Sequence, residues 1–267
     1  MKKLLYLFAV VLLASCTSSK SKPWTIERAE KEFSVKMANP VIIATRAKNP
    51  IKIDGVMSEE EWKDVWAYEM EAVSNPEVYN PPKRRQTMEA TPFQGGQVKV
   101  TYDNSTLYVG VAVKDTDVVQ HAKQDQGHHY QTGDIIEVFL KSKKRPEHWE
   151  IYGAPNGLRT TMKQIGYGGY GNDILEFFRD DMKIGVTVQG TLNNYNDIDE
   201  GYVIEFAIPF KMLEDITGVK VDNAGEWTIM VSRYNFLVNS DKQFSCCPRQ
   251  PKVNYHLKEY YADLVFE

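Results

Sequence analysis

The chain reads as an all-β protein, an antiparallel sandwich with one or two short helices. Three observations predict it. Residues 97–113, QVKVTYDNSTLYVGVAV, hold two alternating runs around an Asp-Asn-Ser turn; residues 134–140 hold a third run, DIIEVFL; and no sustained helical periodicity follows them. Many short strands without a long helix favour a sandwich over an α/β layer structure.

Taken in order, Lys2 and Lys3, an apolar run over residues 4–13 and then Leu13-Ala14-Ser15-Cys16 have the arrangement of a signal segment with a lipobox-like cleavage site. That run is too short for a permanent membrane span. Cys16 is therefore the expected lipidation site of a bacterial envelope lipoprotein, with an ordinary secretory leader as the alternative. Residues 1–15 form the signal peptide, and residues 16–39 a lipidated tether and N-terminal arm. Residues 40–267 form one domain, because no Gly/Ser linker and no repeat divides them.

Residues 51–55 suggest a strand closed by an Asp-Gly turn. Ser58 and Glu61 have capping-box spacing for a short helix reaching Trp66, with Trp62 and either Val65 or Trp66 as its core anchors. Residues 68–96, interrupted by Pro76, Pro81, Pro82 and Pro92, read as a long loop. In the hairpin Val98, Val100, Leu107, Val109, Val111 and Val113 share one face. In the third run Ile136, Val138 and Leu140 share a face, while Ile135, Glu137 and Phe139 share the other. Glu137 thus sits among apolar neighbours, where an unpaired charge costs on the order of 3 kcal/mol or more. It needs a ligand, a metal or a cation; Arg233 is one in-sheet possibility. In the next strand Glu150 and Tyr152 share a face and Trp149 takes the other. Residues 166–171, GYGGYG, read as a flexible loop. Residues 183–189, 202–208, 227–233 and 260–266 read as strands, with Glu205 as an inward structural carboxylate and Trp62, Trp149 and Trp227 as core aromatics.

Charge and cysteines exclude several classes. The formal net charge is −4, and the basic clusters at residues 83–85 and 141–145 are short, so nucleic acid is not an expected partner. Cys246 and Cys247 are adjacent, a spacing of about 3.8 Å between Cα atoms that disfavours a disulfide. They read as packed thiols. His128 and His129 lack a third metal ligand nearby. No Walker, HExxH or nucleophile-elbow motif is present.

The ordered set YDNSTLYVGVAVKD, GDIIEVFL, WEIYGAPNG and GYVIEFAIPF resembles the family 9 carbohydrate-binding modules and their DOMON-like relatives. IDGVMSEEEW is similar to that family's opening turn and helix, and YHLKEYYADLVF to its closing strand. The resemblance implies an immunoglobulin-like or DOMON-like jelly-roll sandwich that binds an oligo- or polysaccharide. It places Glu137 as the acidic partner of sugar hydroxyls and Tyr130, or Gln131 one position on, as the preceding stacking position. It brings in Glu150 and Tyr152 from the next strand, and Asn254 and Tyr255 near the closing strand, with Tyr where Trp is usual. It further implies glycan capture beside separate hydrolases or transporters. Structural calcium, with Asp54 or Asp103 contributing, is a further implication, and some relatives hold haem, for which Met88, Met162 and Met230 are available. A glycosidase using Glu137 and Glu150 is the catalytic alternative.

Overall fold

Period-two alternation is answered here by two sheets that share one strand. The computed structural model describes residues 39–73, 92–165, 174–176 (as backbone), 178–237 and 242–267. The shared strand is β1, Val41–Arg46. It runs parallel to β14 (Ala262–Phe266) over its first four residues and parallel to β4 (Gly96–Tyr102) over its last two. Every other strand pairing is antiparallel, so the expected antiparallel sandwich carries two parallel pairings, both made by β1.

The hairpin sheet contains β4, β5 (Thr106–Lys114), β11 (Gly201–Pro209) and β10 (Lys183–Gln189), with β2 (Ala67–Glu69) on the other edge of β4. The second sheet contains β14, β12 (Trp227–Asn235), β6 (Ile135–Ser142), β7 (His148–Gly153), β8 (Arg159–Gln164) and β9 (Ile174–Glu176). On its far side β12 also pairs with β13 (Gln243–Cys247), which pairs with β3 (Glu71–Val73).

The hairpin turn is held by Asp103, whose carboxylate accepts from the Ser105 and Thr106 backbone N–H groups at 2.8 and 2.9 Å and from the Tyr108 hydroxyl at 2.8 Å. Its register places Val98 opposite Val111 and Val100 opposite Val109. These valines, with Ile204 and Phe206, meet Val138, Leu140, Trp149, Ile151, Ile229 and Val231 of the second sheet in one apolar core. Each such side chain fully withdrawn from water contributes roughly 1.5–3 kcal/mol.

The hairpin sheet's outer face is covered by the segment around α1 (Glu60–Lys63). Trp62 packs there with Tyr108, and a Cβ at Gly110 would meet Met57 Sδ at 2.3 Å and the Trp62 ring at 3.1 Å. Glu205 is a structural carboxylate as expected, but it serves this outer face and not the inter-sheet core: it accepts from Trp62 Nε1 at 3.0 Å, the Asp54 N–H at 3.0 Å and the Gly55 N–H at 2.6 Å.

Several expectations change. The Ser58–Glu61 capping box does not form; Glu59 precedes the helix without a side-chain cap, and Glu61 instead accepts from the Asn49 backbone and side chain. Trp62 and Val65 are buried, whereas Trp66 is 64% exposed, because the helix ends at Lys63 and does not carry Trp66 onto the face that Trp62 shares at i,i+4. Residues 51–53 are not a strand. Within the expected loop, β2 and β3 pair as short edge pieces, and residues 74–91 lie outside the described residues. The loop at residues 166–171 lies outside them as well. A second helix, α2 (Phe210–Thr217), follows β11 and sends Met212 and Leu213 into the core. Cys246 and Cys247 are both free and buried, one on each face of β13: Cys246 packs beside Phe139 and Tyr255, Cys247 in the inter-sheet core.

Candidate functional site

The second sheet has a face turned away from the core, and the neighbouring strands bring their polar residues together there. On β6 the residues in phase are Ile135, Glu137 and Phe139. Register places Glu137 opposite Ser232 on β12 and Tyr152 on β7, and Phe139 opposite Glu150. On β8, Gln164 stands opposite His148 and Met162 opposite Glu150. Tyr130 reaches the layer from a 3-10 turn, His129–Gln131. Tyr255, His256 and Tyr261 come from the chain that returns toward β14 and pack on Phe139.

The carboxyl groups are buried, Glu137 at 2% exposure and Glu150 at 4%. Ser232 Oγ donates to Glu137 Oε2 at 2.6 Å. The Tyr152 hydroxyl and the Gln164 amide both donate to Glu150. Burial first, and the neighbouring Glu150 second, push the Glu137 carboxyl well above the ordinary range, against the Ser232 hydrogen bond. Burial pushes Glu150 up to about 7, against the bonds from Tyr152 and Gln164. His256 Nε2 lies 4.0 Å from Glu150 Oε2. Burial, with Lys258 adding to it, pushes His256 down to about 4; burial, then His256, pushes His148 down to about 3. Both imidazoles are therefore neutral at pH 7, and the partners of the two carboxyls are neutral donors. Among the described residues, both ring nitrogens of His148, Nδ1 of His256 and Oε1 of Gln164 are buried with no hydrogen-bond partner.

Arg233 does not pair with Glu137. It follows Ser232 by one residue and so points to the opposite face, where its guanidinium bonds Asp115 at 2.8 Å, the Gln94 carbonyl at 2.8 Å and the Lys114 carbonyl at 2.9 Å. Glu137 is left to the outward layer.

Of the residues singled out by sequence, Glu137, Glu150, Tyr152, Tyr130 and Tyr255 converge. Tyr130 is half-buried, edge-on to Tyr152 at 6.3 Å and tilted against Tyr234 at 5.8 Å. Tyr255 is only 4% exposed, so its ring forms a wall of the layer and not an open platform. Gln131 sits on the exposed rim, its amide 3.5 Å from the Tyr130 hydroxyl. Asn254 shapes the turn before the wall by accepting from the His256 N–H at 3.2 Å. Cys16 lies outside the described residues. Sequence reasoning missed Ser232, Tyr234, His148 and Gln164. Ser232 and His148 were readable by phase along their own strands; Gln164 carries no such signal.

The proposed calcium residues do not fit that ion. Asp54 is ion-paired with Lys52 at 2.8 Å, and both oxygens of Asp103 are taken by its own hairpin turn. Among the described residues no three His, Cys, Asp or Glu side chains are grouped to hold a metal, and His129 is instead buried with Nε2 3.0 Å from the Gln124 carbonyl. Met162 packs with Ile135 and Tyr152, and Met230 with Phe139 and Tyr255; Met88 lies outside the described residues.

The family model described as carbohydrate family 9 binding domain-like matches residues 53–235. No curated protein matches the chain. Among solved structures, a candidate carbohydrate-binding protein from Bacteroides uniformis ATCC 8492 is similar with a TM-score of 0.60 and 11% identity, over 86% of this chain and 100% of that one. A family 9 carbohydrate-binding module from Caldicellulosiruptor kristjanssonii, in complex with cellotriose, is similar with a TM-score of 0.54 and 15% identity, over 85% of this chain and 93% of that one. A second structure titled as a family 9 module from that organism, in complex with glucose, has a TM-score of 0.50 and 13% identity, over 84% and 95%. At these identities the likeness is one of fold.

Proposed function

The chain belongs to the carbohydrate family 9 binding domain-like family, and on that premise we propose that it binds a glycan at the outward layer of the second sheet. The observation that carries this reading is the pair of buried carboxyls, Glu137 and Glu150, met only by neutral donors and set beside unpartnered polar atoms of His148, Gln164 and His256. A sugar hydroxyl both donates and accepts, so it suits carboxyls that are in part protonated and imidazoles that are neutral. Tyr130 and Tyr255 would flank the ring, Tyr152 would hold Glu150 in place, and Gln131 and Asn254 would meet hydroxyls at the rim. Calorimetric titration against a panel of neutral glycans tests the site. Glu137→Ala is expected to weaken binding at least tenfold, and binding equal to wild type would remove Glu137 from it.

The raised carboxyls on adjacent strands also support a second reading, a glycosidase, whose acid and base are two such groups about 5 to 10 Å apart. New reducing ends in the same panel would establish it, and their absence would leave binding alone. We further propose that Cys16 is lipidated and that residues 16–39 tether the domain to a bacterial envelope, where captured glycan is passed to separate hydrolases or transporters.

A further inference from the structure

The turn that carries Tyr130 and Gln131 does not end at its own rim. Gln120, 1% exposed, clasps it: its amide donates to the Asp134 carbonyl at 2.9 Å, and its Oε1 accepts from Thr132 Oγ1 at 2.6 Å. The Gln120 backbone in turn exchanges two hydrogen bonds with the Asn193 side chain, at 2.8 and 3.0 Å. The loop containing Asn193 is closed at its base by Asp199, which accepts from the Thr191 and Val118 N–H groups at 2.7 Å each. One hydrogen-bonded shelf therefore runs from the Tyr130 turn to the loop at residues 191–199.

An aromatic ring stands on that shelf. Tyr195 is 49% exposed, and its hydroxyl is 2.7 Å from Nε2 of His121, whose own backbone N–H donates to the Thr132 carbonyl at 3.1 Å. A lone exposed tyrosine is ordinary on a protein surface. This one is held by a hydrogen bond to a second exposed ring, on backbone tied to the turn of the candidate site. Asn194 and Asn196 flank it in sequence, and Asn194 Oδ1 accepts from the Asn196 backbone and side chain at 3.3 Å each. An aromatic face held by an imidazole and flanked in sequence by amides offers stacking together with hydroxyl partners.

We infer that Tyr195, oriented by His121, is a second stacking platform that takes a further ring of the same glycan, so that the protein prefers oligosaccharides to monosaccharides. This rests on the glycan-binding reading above. The test is calorimetric titration of the full chain with the mono- and trisaccharides of the β-gluco, xylo and manno series, with Tyr195→Ala, Tyr195→Phe and Glu137→Ala compared with wild type. Tyr195→Ala is expected to weaken trisaccharide binding about 3–10-fold, the range of one aromatic contact, and to leave monosaccharide binding unchanged. Tyr195→Phe, which keeps the ring and loses the bond to His121, is expected to fall between. Equal loss for both chain lengths, or no loss for either, would overturn the platform while sensitivity to Glu137→Ala would keep the main site. Wild-type protein that binds none of the panel would overturn both.

Discussion

Ser232 and Glu137 face each other across the β12–β6 pair, the hydroxyl donating to the carboxyl at 2.6 Å, while Arg233 turns through the sheet to Asp115. Two adjacent residues thus serve opposite faces. Removing either has a different cost. Ser232→Ala leaves Glu137 without its donor and is expected to lower stability by about 1–3 kcal/mol. Arg233→Met leaves Asp115 buried and unpaired and is expected to cost about 3–5 kcal/mol. Guanidinium unfolding of the two variants measures both, and an Arg233 variant no weaker than the Ser232 one would refute this division.

The carboxyl layer also has a pH signature. Glu150 ionises near 4.5 in an unfolded chain and near 7 in the fold. Between these values the folded protein holds a proton that the unfolded chain has lost, so this group's contribution to stability falls as pH rises from 4.5 to 7, by on the order of 2–3 kcal/mol. His148 and His256 act in the opposite direction, since their folded values of about 3 and about 4 lie below the ordinary 6.5. Subtracting the profile of Glu150→Gln cancels the histidines and leaves Glu150 together with the rise it causes in Glu137, which has the same sign. The difference between wild type and Glu150→Gln is expected to decline across pH 4.5–7; a flat difference would show that Glu150 titrates normally.

On the other side of the molecule Glu205 accepts three hydrogen bonds that hold the Asp54-Gly55 turn and Trp62 against the hairpin sheet. Glu205→Leu strands those donors and is expected to cost about 2–4 kcal/mol. Trp62→Phe removes one donor and is expected to cost less. Equilibrium unfolding ranks them, and the reverse order would mean that packing of the indole outweighs its bond.

Lipidation is checked by fractionation. Wild-type protein expressed in a bacterial host is expected in the membrane fraction and Cys16→Ser in the soluble fraction. Wild type recovered in the soluble fraction would point to an ordinary secretory leader.

Much of the fold was legible because alternation carries phase. Val98 to Val113 and Ile136 to Leu140 declared their inward sides, and β10, β11 and β12 were found near their observed bounds. Glu150 and Tyr152 were placed on one face of their strand by the same rule, and the family resemblance joined them to Glu137. Short edge strands such as β2 and β3 were not legible, since three residues show no period. Nor was β8, where Thr160, Thr161 and Met162 are all buried and the alternation vanishes.

By itself, then, the sequence determined which residues of each long strand share a side, and with it the sandwich and the place of Glu137 among apolar neighbours. Only the tertiary structure decided what covers each side. It sent Arg233 to Asp115, closed Tyr255 over Phe139 and enclosed both carboxyls among neutral donors. The physical reason is that side-chain direction follows from the local period of the backbone, whereas burial and partners come from segments far away in the chain, whose approach no local pattern records.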